Sequence, residues 1–125
     1  MNPCPVCGVT QNDNMSIKIS GKIYEHGCFN CWIENVFTDI KMERIWQKDK
    51  WRDYPIKSMA EYLPVLIEEV GEVATEIYDN IYLDKSLNDC KTELIQVAAV
   101  CIGMIEKAEE LMRQKEIEEQ EENGE

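Results

Sequence analysis

The chain has 125 residues, a length that fits one domain, or a domain with a mini-domain. Its 25 acidic and 13 basic side chains give a net charge of −12. This negative charge disfavours binding to the phosphate backbone of nucleic acids. No apolar run approaches the ~20 residues of a membrane-spanning helix, and the N-terminus lacks a basic segment followed by an apolar one, so we expect neither a membrane protein nor a secreted one. A cytoplasmic location follows, in which six cysteines indicate metal binding or free thiols before disulfides.

Two C-x2-C pairs lie near the N-terminus, Cys4 with Cys7 and Cys28 with Cys31. Alternating strand-like segments between the pairs predict a β-hairpin. Four thiolates at this spacing are typical of a structural zinc site, so we predict a zinc-ribbon mini-domain over residues 1–32. A full set of four protein ligands leaves no open position, and we expect no catalysis at this zinc. Two disulfides are the alternative, and His26 is a possible substitute ligand.

Residues 32–53 contain neither Gly nor Pro and predict a helix. Its polar end, residues 44–52, mixes aromatic and basic side chains. One interpretation is a nucleotide-facing segment, in which Trp46 or Trp51 stacks on a base and Lys50 or Arg52 meets a phosphate. The alternative is that both tryptophans belong to the core and the cations are solvated.

The second predicted helix follows a break at Pro55. Residues 58–61 have the form of a capping box, and the helix should run to about Tyr82. Pro64 lies beyond the first turn, so either the helix kinks there or its regular part begins near Leu63.

This second helix has two contrasting faces. Apolar residues recur at steps of three and four along one face: Leu63, Ile67, Val70, Ala74, Ile77 and Ile81. Carboxylates recur at the same steps along another: Glu69, Glu72, Glu76 and Asp79. Carboxylates so placed repel one another, and a hard divalent cation would relieve the repulsion. A solvated acidic face is the alternative.

The third predicted helix is apolar nearly all round between residues 94 and 105, so it must be covered on several sides. We therefore predict a mainly α fold, an antiparallel helical bundle over residues 33–115 that is completed by a homodimer or homotetramer. Near the start of this helix, Glu93 and Gln96 form a polar pair that needs partners. Residues 116–125 carry six acids and no base, which predicts a disordered tail.

Two segments together resemble a known family. Glu68, Glu69 and Glu72 match the E-E-x-x-E half of the motif of the MazG-like, all-α nucleoside triphosphate pyrophosphohydrolase superfamily. Glu93 matches the first position of the second half, E-x-x-D, but Gln96 stands where the family has Asp. The resemblance covers about residues 37–112, and the segment upstream is similar to that of small phage and bacterial members.

The resemblance implies a magnesium-dependent enzyme that converts a (d)NTP and water to a (d)NMP and pyrophosphate. Its implied magnesium ligands are Glu69, Glu72, Glu93 and Gln96. Glu68 is an implied catalytic neighbour, and either Glu68 or Glu76 would accept the proton of the attacking water. The implied substrate contacts are Gln47, Lys50 and Trp51. The alternative function is a non-catalytic zinc-ribbon and helical dimer that docks a protein partner, with Gln96 marking a lost site.

Overall fold

The computed structural model describes residues 28–124. The chain divides into two compact units, residues 1–39 and 40–125, which we treat separately. The regular structure of the described residues is helical: α1 spans Phe29–Lys50, α2 spans Met59–Leu83 and α3 spans Asn88–Asn123. The predicted helical class is thus confirmed for this part of the chain. The predicted hairpin, together with Cys4, Cys7 and His26, lies outside the described residues.

The capping box at the start of α2 is present. Ser58 Oγ accepts a hydrogen bond from the Glu61 N–H at 3.2 Å, and a Glu61 carboxylate oxygen accepts one from the Lys57 N–H at 2.7 Å. These bonds satisfy backbone donors that a helix N-terminus leaves unpaired. The helix begins at Met59 and continues through Pro64, so its regular part does not start near Leu63.

The turn between α2 and α3 reverses the chain. Asp84 adopts a left-handed conformation with φ 55°, and its N–H and that of Lys85 both donate to the Asp79 carbonyl. Lys85 Nζ then bridges the two helices, at 2.8 Å from a Glu76 carboxylate oxygen and 3.2 Å from one of Asp89. Because the turn is short, α3 returns antiparallel along α2.

Three pairs of facing residues define the register of this hairpin. Residue numbers rise along α2 as they fall along α3, as expected for antiparallel helices: Tyr62 with Gly103, Glu69 with Gln96, and Glu72 with Glu93. At its centre Ala99 and Val100 are fully buried, and Cys90 and Tyr62 are nearly so. Since the acidic residues of α2 and the polar pair of α3 lie at the same level, the hairpin brings together the two halves of the predicted site.

Residues 40–50 of α1 contact this hairpin through long polar side chains. Arg44 donates to Glu106 at 3.3 Å, to Gln47 at 3.4 Å and to the Tyr62 hydroxyl at 3.5 Å. Gly103 makes room for this arrangement, because a Cβ there would stand 2.8 Å from both the Arg44 guanidinium carbon and the Tyr62 oxygen.

The end of α3 differs from the prediction. Residues 116–123 continue the helix instead of forming a disordered tail. Glu and Gln are strong helix formers, and no Gly or Pro follows until Gly124, so the local propensity sustains the helix despite its negative charge. Within residues 28–124, no helix combines the length and the apolar character needed to cross a membrane.

Candidate metal centre

Three carboxylates converge where α2 faces α3. One oxygen each from Glu69, Glu72 and Glu93 lies within 4.8 Å of the others. Opposite ligands of an octahedral Mg²⁺ are about 4.2 Å apart, twice the Mg–O distance. The observed spread therefore needs only a small side-chain adjustment to place all three oxygens around one cation. The residues present fit a hard divalent ion, which prefers oxygen ligands.

The Gln96 side chain completes the cluster, and two orientations of its amide are chemically meaningful. In one, the amide oxygen would face the carboxylates if all four groups surrounded a cation. In the other, the amide nitrogen donates to a Glu93 oxygen at 2.9 Å and to a Glu69 oxygen at 3.0 Å. Gln96 can therefore serve either as a neutral oxygen ligand or as a hydrogen-bond donor that partly offsets the negative charge.

The electrostatics of the cluster favour a bound positive charge. Burial raises the pKa of Glu93 to about 7, with further contributions from a hydrogen bond and the charge of Glu72 and from the charges of Glu69 and Glu76. Burial also raises the pKa of Glu69, reinforced by Glu72 and Glu68 and opposed by Lys50. A proton or a cation at the cluster relieves the same repulsion.

Of the predicted substrate contacts, Gln47 is engaged inside the protein. Its side chain is 4% exposed. The amide nitrogen donates to the Gln96 backbone carbonyl at 3.4 Å, and the amide oxygen accepts from Arg44. Gln47 thus links α1 to the segment of α3 that carries Gln96.

Lys50 and Trp51 have different surroundings. Lys50 is exposed, with its Nζ 5.0 Å from the centre of the Trp46 ring, and its charge acts on Glu69. Trp51 instead lines a cavity of about 200 Å³ together with Arg44, Lys48, Arg52, Pro55, Ile56, Tyr62, Glu106, Lys107 and Glu110. None of the three clustered glutamates lines this cavity, so Trp51 does not share it with the carboxylate cluster, whereas the charge of Lys50 acts on Glu69.

Two further acidic positions can be compared as proton acceptors. Glu76 accepts hydrogen bonds from Lys85 Nζ at 2.8 and 3.1 Å, so its carboxylate is held in an ion pair. Glu68 is exposed, and its charge acts on Glu69. Glu68 is therefore the better placed of the two to exchange a proton with solvent.

A polar network surrounds Arg44, and the sequence does not predict it. The guanidinium joins Glu106 of α3, Tyr62 of α2 and Gln47 of α1, and Lys48 adds a second ion pair to Glu106 at 2.9 Å. Burial raises the pKa of Glu106, but hydrogen bonds from Lys48 and Arg44 outweigh burial and leave this pKa below its ordinary value. Tyr62 and Glu106 are 18 and 62 residues from Arg44 in the chain, and no local pattern pairs them with it.

The second cysteine pair of the predicted zinc site lies at the start of α1. Cys28 is buried and its Sγ is 3.8 Å from that of Cys31. Two thiolates at about 2.3 Å from a tetrahedral zinc are also roughly 3.8 Å apart. This pair therefore has the spacing of one edge of a zinc tetrahedron.

No family model, curated protein or solved structure matches this chain.

Proposed function

We propose that this chain is a magnesium-dependent nucleoside triphosphate pyrophosphohydrolase of the MazG-like type. The reaction hydrolyses the bond between the α- and β-phosphates, so that a (d)NTP and water yield a (d)NMP and pyrophosphate. The observation that carries the proposal is the convergence of Glu69, Glu72 and Glu93, from two helices, with Gln96 beside them. These residues occupy the motif positions on which the family resemblance rests. Glu72, in the first half of the motif, and Glu93, in the second, are 21 residues apart in the chain.

In this proposal Glu69, Glu72 and Glu93 hold Mg²⁺, and the Gln96 carbonyl adds a ligand without charge. When bound, Mg²⁺ polarises phosphate oxygens and lowers the pKa of a bound water. Lys50 supplies positive charge next to Glu69, where an anionic triphosphate would otherwise meet only carboxylates. The acidic surface then suits an anionic substrate, because the cation binds both partners.

Glu68 is the proposed acceptor of the proton of the attacking water. It lies next to Glu69 in the chain and is exposed, whereas Glu76 is held by Lys85. A general base must reach the water within hydrogen-bond distance, and an unrestrained side chain can adjust to do so.

We also propose that Cys4, Cys7, Cys28 and Cys31 hold a structural zinc ion. The support is the C-x2-C spacing of both pairs and the 3.8 Å separation of the Cys28 and Cys31 sulfurs. Metal analysis of the purified protein should give one zinc per chain, and Cys28→Ser should reduce that value. Full zinc content in Cys28→Ser would argue against this site.

A non-catalytic interaction module is the second candidate. It is favoured by one observation, the amide of Gln96 in place of a fourth carboxylate, which leaves the site one negative charge short of the family pattern. The two candidates differ in whether a nucleotide is turned over.

The deciding experiment is pyrophosphate release from a panel of the common NTPs and dNTPs with Mg²⁺. We expect release by wild type, and a loss of about 100-fold or more in Glu72→Ala, because a ligand of a catalytic metal contributes several kcal/mol. Glu109→Ala is the matched control, since Glu109 is an exposed carboxylate of α3 outside the cluster, and it should retain activity. If folded wild-type protein releases no pyrophosphate from any nucleotide, the enzyme proposal fails and the interaction module becomes the better explanation.

A further inference from the structure

The cavity beside Trp51 has no part in the proposed reaction, and its charge differs from that of the rest of the chain. Four of its lining side chains are basic and two are acidic, whereas the whole chain has 25 acidic and 13 basic side chains. The cavity is therefore a positively charged recess in a protein of strongly negative net charge. Such a recess favours an anionic ligand.

The apolar part of the lining comes from the connection between α1 and α2. This connection contributes Trp51, Pro55 and Ile56. The side chains of Trp51 and Ile56 are only partly exposed, whereas Pro55 is exposed, so the cavity can be reached from solvent. An indole ring beside two aliphatic side chains offers a surface on which an aromatic ring can pack.

The basic side chains of the lining differ in how far their charge is already neutralised. Arg44 and Lys48 share a single carboxylate, that of Glu106, at 3.3 and 2.9 Å. Lys107 is paired with the Glu110 carboxylate at 3.0 Å. These three cations and two carboxylates leave one positive charge of the lining without a matching negative charge.

Arg52 is the most exposed of the four basic side chains. It is 74% exposed, and its ion-pair partner Asp49 is equally exposed and lies 3.5 Å away. Water screens such a pair, so the pairing is weak. Lys48, four residues earlier, is 57% exposed. A carboxylate could therefore accept two parallel hydrogen bonds from the planar Arg52 guanidinium and a further one from Lys48.

The volume of the cavity limits the ligand to about one ring. The cavity measures about 200 Å³. A cavity of about 150 Å³ can hold benzene, whereas the pockets of larger ligands and cofactors begin at about 300 Å³. One aromatic ring with an anionic substituent thus fits, and a complete nucleotide is too large to be enclosed.

We propose that this cavity binds a small aromatic carboxylate, with the ring against Trp51 and the carboxylate held by Arg52 and Lys48. The aromatic surface, the surplus positive charge and the volume each support this class of ligand. Because Glu69, Glu72 and Glu93 do not line the cavity, the site is separate from the candidate metal centre. The inference does not depend on the proposed enzymatic function.

The test is a titration of the full chain with benzoate, without Mg²⁺ and at constant ionic strength, followed by nuclear magnetic resonance. The chain has three tryptophans, and the indole N–H signal of Trp51 is identified by its loss in Trp51→Phe. We expect benzoate to shift this signal saturably, while the signals of Trp32 and Trp46 serve as internal references. Benzamide, which has the ring without the charge, should bind about tenfold more weakly or worse, and so should acetate, which has the charge without the ring.

A variant tests the role of the guanidinium. Arg52→Gln should weaken benzoate binding by about tenfold and leave benzamide binding unchanged, because only the anion uses the charge-assisted hydrogen bonds. Arg113→Gln is the matched control, since Arg113 is also exposed and does not line the cavity. It removes the same charge from the chain and should keep the wild-type affinity for benzoate.

Four results would overturn the inference. The first is the absence of a saturable shift of the Trp51 signal, and the second is equal affinity for benzoate, benzamide and acetate. The third is equal weakening of benzoate binding by Arg52→Gln and Arg113→Gln. The fourth is tighter binding of a nucleoside monophosphate than of benzoate at the Trp51 signal, because the cavity would then be a nucleotide site. If Arg52→Gln does not fold, the comparison of the three ligands on wild-type protein still decides.

Discussion

Gly103 should be intolerant of a side chain, whereas Gly71 should benefit from one. Both glycines lie inside helices, where replacement by Ala gains about 1 kcal/mol of helix propensity. At Gly71 nothing lies within 4 Å of the added Cβ, so the full gain should appear. At Gly103 the added Cβ meets the Tyr62 oxygen and the Arg44 guanidinium carbon at 2.8 Å. Ordinary van der Waals contact begins beyond 3.4 Å, so both of these groups, or the helix backbone itself, must move.

The free-energy cost of that movement depends on the hydrogen bonds that the Arg44 side chain donates. Its side chain is 11% exposed, and it donates to Glu106, Gln47 and Tyr62. Losing a hydrogen bond that involves a charged group costs about 1.5–3 kcal/mol. Set against the propensity gain, Gly103→Ala should lower the free energy of unfolding by about 0.5–2 kcal/mol, so it should fall about 1.5–3 kcal/mol below Gly71→Ala.

Urea denaturation, followed by circular dichroism at one fixed protein concentration, measures both variants. The double variant Gly103→Ala/Tyr62→Phe removes one of the three atoms that lie within 3.0 Å of the added Cβ, so part of the loss should be recovered. Equal stability of Gly103→Ala and Gly71→Ala would refute the reasoning, because it would mean that Arg44 and Tyr62 can move away at no cost.

Three further predictions concern the cluster and the helix start. Burial and Glu72 raise the pKa of Glu93 to about 7, so the folded state binds this proton more tightly than the unfolded chain. The contribution of Glu93 to the stability of the metal-free protein should therefore be complete below pH ~4.5 and be lost as pH rises through ~7, and thermal melts between these pH values should show Mg²⁺ reversing the loss. Gln96→Asp should raise Mg²⁺ affinity by about tenfold or more in titration calorimetry, since a fourth carboxylate adds a full charge; unchanged affinity would place Gln96 outside the coordination shell. Ser58→Ala should lower the free energy of unfolding by about 1 kcal/mol. Ser86→Ala should lower it by less, because the hydrogen bond from the Asn88 N–H to Ser86 is long at 3.4 Å. Equal losses of stability in the two variants would contradict the capping role of Ser58.

The features that could be predicted from the sequence are those encoded within a few residues. The capping box at 58–61 needs only Ser and Glu at the right spacing, and the bond from the Glu61 N–H to Ser58 confirms it. The acidic and apolar faces of α2 follow from steps of three and four. The antiparallel return of α3 follows from the short connection, and it brings Glu72 to Glu93.

The sequence does not predict which residues pair when they are distant in the chain and several candidates have the same chemistry. Arg44 could have been paired with many of the carboxylates, and only the tertiary structure of residues 40–124 brings Glu106 to it. The burial of Gln47 against the Gln96 carbonyl has no local signal either. Residues 116–123 are helical where the negative charge predicts disorder, because the helix propensity of Glu and Gln sustains the helix there.

The chemistry of Gln96 follows from the repulsion among its neighbours. A metal-free cluster of three carboxylates needs positive charge or hydrogen-bond donors, and the Gln96 amide nitrogen can donate to Glu69 and Glu93 at 3.0 and 2.9 Å. An Asp at this position has no donor when ionised, and it would add to the repulsion. In the proposed metal-bound state, rotation of the same amide would present its oxygen instead. Gln96 therefore favours the metal-free cluster more than an Asp would, and in the proposed site it would contribute one negative charge fewer. Relative to the E-x-x-D pattern that the chain resembles, Gln96 should lower the affinity for magnesium and raise the stability of the metal-free fold.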